Sequence, residues 1–158
     1  LIDSLVENDK KNEYVFFFSG LRSSFQFSVF NFQSNPKITV KTFKLPTSLL
    51  DLLWNKLHVL PIEWLIGPID LFITSDWTEP PTKKAKKATI IYDLTVYKTP
   101  KETAQKIIDV QKRKLKWVKK ESSLILTISE STKNDIKEIL GVEGYKIKVI
   151  YPGIYPVK

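Results

Sequence analysis

The feature of this 158-residue chain that most narrows its fold is an alternation of short apolar runs with longer amphipathic stretches. Tyr14–Phe18, Ile69–Thr74, Ala88–Tyr92, Leu124–Ile128 and Lys146–Tyr151 each have the length and β-branched or aromatic content of a strand. Between them the spacing turns helical. After the Pro46-Thr47-Ser48 stop and cap, Leu49, Leu50, Leu53 and Leu57 predict a helix, and a shorter one runs from Pro61 to Ile66 before Gly67-Pro68. Over Lys101–Lys120, Ala104, Ile108, Gln111, Leu115 and Val118 form one stripe, with Lys112, Arg113, Lys116 and Lys120 roughly opposite. Ser129 caps a further helix that carries Ile136, Ile139 and Leu140 to a stop at Gly141. Strands separated by such helices return in the same direction through right-handed crossovers. The expected fold is therefore α/β, a Rossmann-like, mostly parallel sheet with helices on both faces. Phe25–Val29 and Ile38–Phe43 add one or two strands around the Asn35-Pro36 break, and the lysine-rich Thr78–Lys87 reads as an exposed loop. A hydrophobic content of 42% suffices for one sizeable core, so one domain is expected.

Composition removes several classes of function. Cysteine and methionine are absent, which excludes disulfide scaffolds, thiolate metal sites and cysteine nucleophiles and fits a cytoplasmic setting. Apolar stretches fall far short of the roughly 20 residues that span a membrane. The first residues, Leu1–Glu7, lack the basic and apolar regions of a signal peptide and resemble the end of an amphipathic helix, as if the start were truncated. The five glycines are scattered singly, so no phosphate-cradling loop is present. The one histidine, His58, stands at a helix end without ligand-type neighbours, and neither a metal nor another cofactor is expected. A net charge of +8 favours anionic partners such as phosphorylated sugars, lipid head groups or nucleic acid.

In an open parallel sheet, ligands bind beyond the carboxyl ends of the strands. Three segments are expected there. The loop Thr74–Pro81 carries Asp76 and Trp77, a pairing that suits sugars because an indole face packs on C–H surface while a carboxylate accepts hydroxyl hydrogen bonds. Trp77 has an alternative role as a cover for the sheet edge. Tyr92-Asp93 ends a strand where a general base or hydroxyl-orienting group could sit, or where an aspartate caps a turn. At Ser129–Lys133 the free N–H groups of a helix start could hold a phosphate or sugar hydroxyl, although capping explains Ser129 equally. The cluster Lys83-Lys84-Ala85-Lys86-Lys87 lacks interleaved stacking aromatics, so it reads as a solvated loop and nucleic acid is not an expected partner. The lysines of Lys112–Lys120 fit an anionic membrane surface, each worth about 1 kcal/mol there.

Taken in order, Asn12–Phe17, Asp70–Pro81, Ile90–Thr95, Arg113–Lys116, Leu126–Ile136 and Val149–Ile154 resemble glycosyltransferase family 4 over nearly the whole chain. The most specific part is the Ser129-Glu-Ser-Thr-Lys133 helix start, followed about twenty residues later by Tyr151-Pro152-Gly153. The resemblance implies a GT-B architecture of two Rossmann-like domains, in which the first binds the acceptor and the second the nucleotide-sugar donor, with retention of configuration and no metal. On that basis residues 1–151 are the acceptor-side domain without its first strand, and Pro152 and Gly153 form the hinge opening the linker 152–158. The resemblance further implies that the donor domain is absent and that the isolated chain is expected to be inactive. Tyr92 and Asp93 are the catalytic candidates; Asp76, Trp77, Ser129 and Lys133 bind the acceptor, a sugar or lipid-linked molecule. The family often has histidine where Tyr92 and Ile73 stand here. Sheet surface uncovered by a missing strand would favour self-association. The rival reading is a non-catalytic binding or scaffolding domain derived from such an enzyme.

Overall fold

The computed structural model describes residues 5, 6, 8–21, 35–75 and 77–153, and its strands run parallel in two sheets. Strand β1 (Tyr14–Ser19) pairs with β2 (Ile38–Phe43), Tyr14 opposite Ile38 and Ser19 opposite Phe43. Strands β3 (Leu71–Thr74), β4 (Lys86–Ile91), β5 (Leu124–Thr127) and β6 (Ile147–Val149) form a four-stranded sheet in the order β3-β4-β5-β6. In chain order the helices are α1 (Thr47–Leu50), which runs on as a π-helical segment (Asp51–Lys56), α2 (Glu63–Ile66), α3 (Thr95–Lys98), α4 (Gln105–Glu121) and α5 (Glu130–Leu140). This is the α/β, Rossmann-like arrangement that the alternation of runs predicts. The chain divides into two units, Leu1–Leu49 with Gly153–Lys158 and Leu50–Pro152.

In the first unit Asp9 organises the entry to β1. Its carboxylate accepts from the Lys11 amide at 2.8 Å and from the Tyr14 hydroxyl at 2.5 Å, which holds its pKa well below the ordinary range and pushes the phenol up to about 12. Phe17 packs on Phe43 across the strand pair, ring centroids 5.4 Å apart. The strand expected at Phe25–Val29 lies outside the described residues.

The second unit has its apolar centre where α4 and α5 cover the sheet. Ile108, Leu115 and Val118 of α4 meet Ile91 and Ile125 of the strands and Ile136 and Leu140 of α5. Local signals explain α5 completely. The Ser129 hydroxyl accepts the Thr132 amide hydrogen, and Gly141 ends the helix at φ 63°, a left-handed conformation that glycine adopts without penalty. Helix α4 starts at Gln105 and not at Lys101, because Pro100–Glu102 form a separate 3₁₀ turn.

Two segments differ from expectation for identifiable reasons. The leucine-rich helix does not keep a 3.6-residue period. Leu57 donates its amide to the Leu52 carbonyl five residues back, and this wider turn carries Trp54 and Asn55 inward while Leu52 and Leu57 stay exposed. His58 and Leu60 then take positive φ, 54° and 66°, to turn the chain out of the helix.

The second difference is Thr78–Lys87, which is not a solvated loop. Lys83 and Lys84 are exposed, but Glu79 and Pro80 are fully buried and Lys86-Lys87 open β4. Lys87 tolerates burial because its ammonium lies 3.0 Å from Glu79 Oε1 and 2.9 Å from Glu121 Oε2. Glu79 Oε2 accepts from the Thr74 hydroxyl at 2.6 Å, and the Thr89 hydroxyl lies 2.7 Å from that of Thr74. Removing one partner from such a set strands a buried charge. Lys87→Met is therefore expected to lower the unfolding free energy by about 3–5 kcal/mol, whereas Lys87→Met with Glu79→Gln recovers part of that loss, as urea titration followed by circular dichroism will measure.

Candidate functional site

Because β3 to β6 are all parallel, their carboxyl ends lie at one end of the sheet, and the segments that leave them there begin at Ser75, Tyr92, Ile128 and Ile150. The first is tied down from two sides. Lys114, buried on α4, donates to the Ser75 carbonyl, and the Asn55 amide donates at 2.9 Å to the Trp77 carbonyl. Asn55 Oδ1 also accepts the Glu79 amide at 3.0 Å, so one side chain holds both ends of Trp77–Glu79. The Trp77 ring itself is 52% exposed. Asp76 lies outside the described residues.

At the end of β4, Tyr92 is exposed and its carbonyl accepts from the Thr132 hydroxyl at 3.2 Å. Asp93 Oδ1 accepts the Thr95 amide at 2.9 Å, and hydrogen bonds from the Thr95 side chain and backbone hold its pKa below the ordinary range. Ser129 caps α5, and Lys133 pairs with Glu130 at 3.3 Å one turn earlier in the same helix. Pro152 and Gly153 are exposed, and the division between the two units falls between them.

A cavity of about 250 Å³ opens at this end of the sheet. Tyr92 and Asp93 line it, with Thr103, Ile107, Gln111 and Lys114 from across the crossover. Trp77, Ser129 and Lys133 are not among its lining residues. Gln111 and Lys114 were not evident as site residues in the sequence, although one signal was present: a glutamine interrupts the apolar stripe of α4, with a lysine three positions on, one turn along the same face.

A chain of ionisable groups links the carboxyl end of α4 to the start of β4. His58 is not isolated. Its Nε2 lies 2.8 Å from Glu121 Oε1, its Nδ1 lies 2.8 Å from the Trp54 carbonyl, and its ring stacks on Trp117 with centroids 3.6 Å apart. Burial pushes the Glu121 carboxyl up, but the hydrogen bond and charge of Lys87, joined by His58, outweigh it and hold the pKa below its ordinary value. Among the described residues no group of three or more histidine, aspartate or glutamate side chains could hold a metal ion. No described helix is long and apolar enough to cross a membrane.

Comparison with protein-family models, with curated proteins and with solved structures finds no match to this chain.

The depressed pKa of Glu121 has a definite sign. Its stabilising contribution is fully present above the ordinary carboxyl value of 4.5 and is lost as pH falls through the lower folded value. Urea midpoints from pH 7 down to pH 3 are expected to fall less steeply in Glu121→Gln than in the native chain. Asn55→Ala leaves the Glu79 amide and the Trp77 carbonyl without their partner; a loss of about 2 kcal/mol or more is expected by the same titration.

Proposed function

We propose that the chain is the acceptor-binding half of a sugar transferase of the GT-B type, whose parent moves a sugar from a nucleotide donor to a sugar or lipid-linked acceptor. The observation that carries this reading is the cavity at the end of β4 and its mixed lining. A carboxylate, a phenol, a primary amide, a threonine hydroxyl and a lysine surround a space of about 250 Å³, with Ile107 as apolar wall. That mixture suits a sugar, whose hydroxyls need donors and acceptors and whose ring presents C–H surface.

The state of Asp93 suggests its role. Held ionised by the Thr95 hydrogen bonds, it is a weak base and a good acceptor, so it orients an acceptor hydroxyl more readily than it removes the proton. Tyr92 supplies a second polar group beside it. Trp77, Ser129 and Lys133 contribute outside this cavity, where the larger parts of an acceptor or the phosphates of a donor held by a second domain would pass.

A second reading keeps the binding and drops the chemistry. What favours it is that Asp93, Ser129 and Lys133 already have partners within the chain, which serves rigidity as well as catalysis. In that case the exposed Lys112, Lys116 and Lys120 of α4 make a cytoplasmic, salt-sensitive contact with anionic lipid.

Titration with methyl glycosides and with nucleotide-sugars, read as a rise in unfolding temperature, tests the first reading, since binding to the native state alone raises stability predictably. Methyl glycosides are expected to raise the midpoint, nucleotide-sugars to leave it unchanged, and Asp93→Ala to abolish the rise while remaining folded. A response to nucleotide-sugar alone would reverse the assignment. No response to either, with sedimentation on phosphatidylserine vesicles that salt releases, would support the second reading.

A further inference from the structure

Neither proposed reading uses His58, whose ring has a partner at each nitrogen and on one face. Its side chain is only 8% exposed. One ring nitrogen meets the Trp54 carbonyl and the other meets the Glu121 carboxylate, both at 2.8 Å. A carbonyl and an ionised carboxylate can only accept. Both hydrogen bonds therefore exist together only when the imidazole carries a proton on each nitrogen, and the Trp117 face lies nearly parallel to the ring at 5°.

The charges that face this ring come from each element packed on it. From α4 these are Glu121 itself and, on the Trp117 indole, Lys116 and Lys120 at 5.5 and 5.1 Å from the ring centre. From β4, Lys87 binds the other oxygen of Glu121, with Glu79 behind it. At the start of the π-helical segment Asp51 pairs with Arg113 at 2.7 Å, and Lys56 is exposed.

We propose that His58 is a proton-operated latch that fastens the π-helical segment to α4. The protonated ring bridges Trp54 of that segment to Glu121 of the helix; loss of one proton as pH rises breaks one of the two bonds, and the segment loosens. The effect reaches the candidate site through Asn55, the residue after Trp54. Its carbonyl accepts the Trp117 indole hydrogen at 2.8 Å, and its side chain holds the Trp77 carbonyl and the Glu79 amide. Protonation of His58 thus sets how firmly the Trp77 loop is held, whatever ligand that loop serves.

The chain has one histidine, so a ¹⁵N-labelled sample gives one pair of imidazole nitrogens to follow against pH. Hydrogen exchange of the Trp117 indole and of the Glu79 amide is measured on the same sample and corrected for its intrinsic pH dependence. Both nitrogens are expected to report N–H in the protonated form, and protection at both probes to fall about tenfold as the ring loses its proton, the scale of one charge-assisted hydrogen bond. In Glu121→Gln, whose amide can donate as well as accept, protection is expected to stop following the ring. Protection that stays level while the native ring titrates overturns the latch, and so does an equal fall over the same pH range in His58→Gln.

Discussion

The Lys87 ammonium between Glu79 and Glu121 is the interaction on which the sheet-bearing unit depends. It joins the segment after β3 to the beginning of β4 and, far along the sequence, to the end of α4. A lysine alone at that depth would be intolerable, and so would a glutamate at zero exposure. Together, with hydroxyls from Thr74 and Thr89 completing the set, they leave little uncompensated, and they specify where α4 must end relative to the sheet.

From that fixed end the rest of the second unit follows. Helix α4 is placed by Glu121 at its carboxyl terminus and by the Arg113–Asp51 pair two turns earlier, which also anchors the π-helical segment. The wider turn of that segment then brings Trp54 into the core and Asn55 against the loop beyond β3. A single irregular helical stretch thus connects the charged centre to the end of the sheet where the cavity opens. The cavity is walled by β4 and α4, the two elements that Lys87 and Glu121 hold together, and by α3 and the crossover between them.

How much of this was legible in the sequence depended on the range of the forces involved. Elements set by neighbouring residues could be read directly: the Ser129 cap, the Gly141 stop, the short helix before Gly67 and the position of Tyr92 and Asp93 at a strand end. Elements set by distant partners could not. A run of lysines reads as solvated until Glu79 and Glu121 are brought to it, and leucines at helical spacing conceal a π turn whose reward is the burial of Trp54. The same holds for the site. Asp93 was visible because it ends a strand, whereas Gln111 and Lys114 enter only when the crossover helix folds back.

The four tryptophans divide sharply by environment. Trp54 is 1% exposed and donates its indole hydrogen to the Leu60 carbonyl, and Trp117 is covered on one face by His58. Trp64 and Trp77 are 66% and 52% exposed. The protein therefore carries distinct optical populations of its own: Trp54 shielded in the core, Trp117 partly covered, and an open pair that a collisional quencher reaches. One of the open pair sits on the loop that Asn55 holds, so an extrinsic dye is unnecessary for watching that loop move.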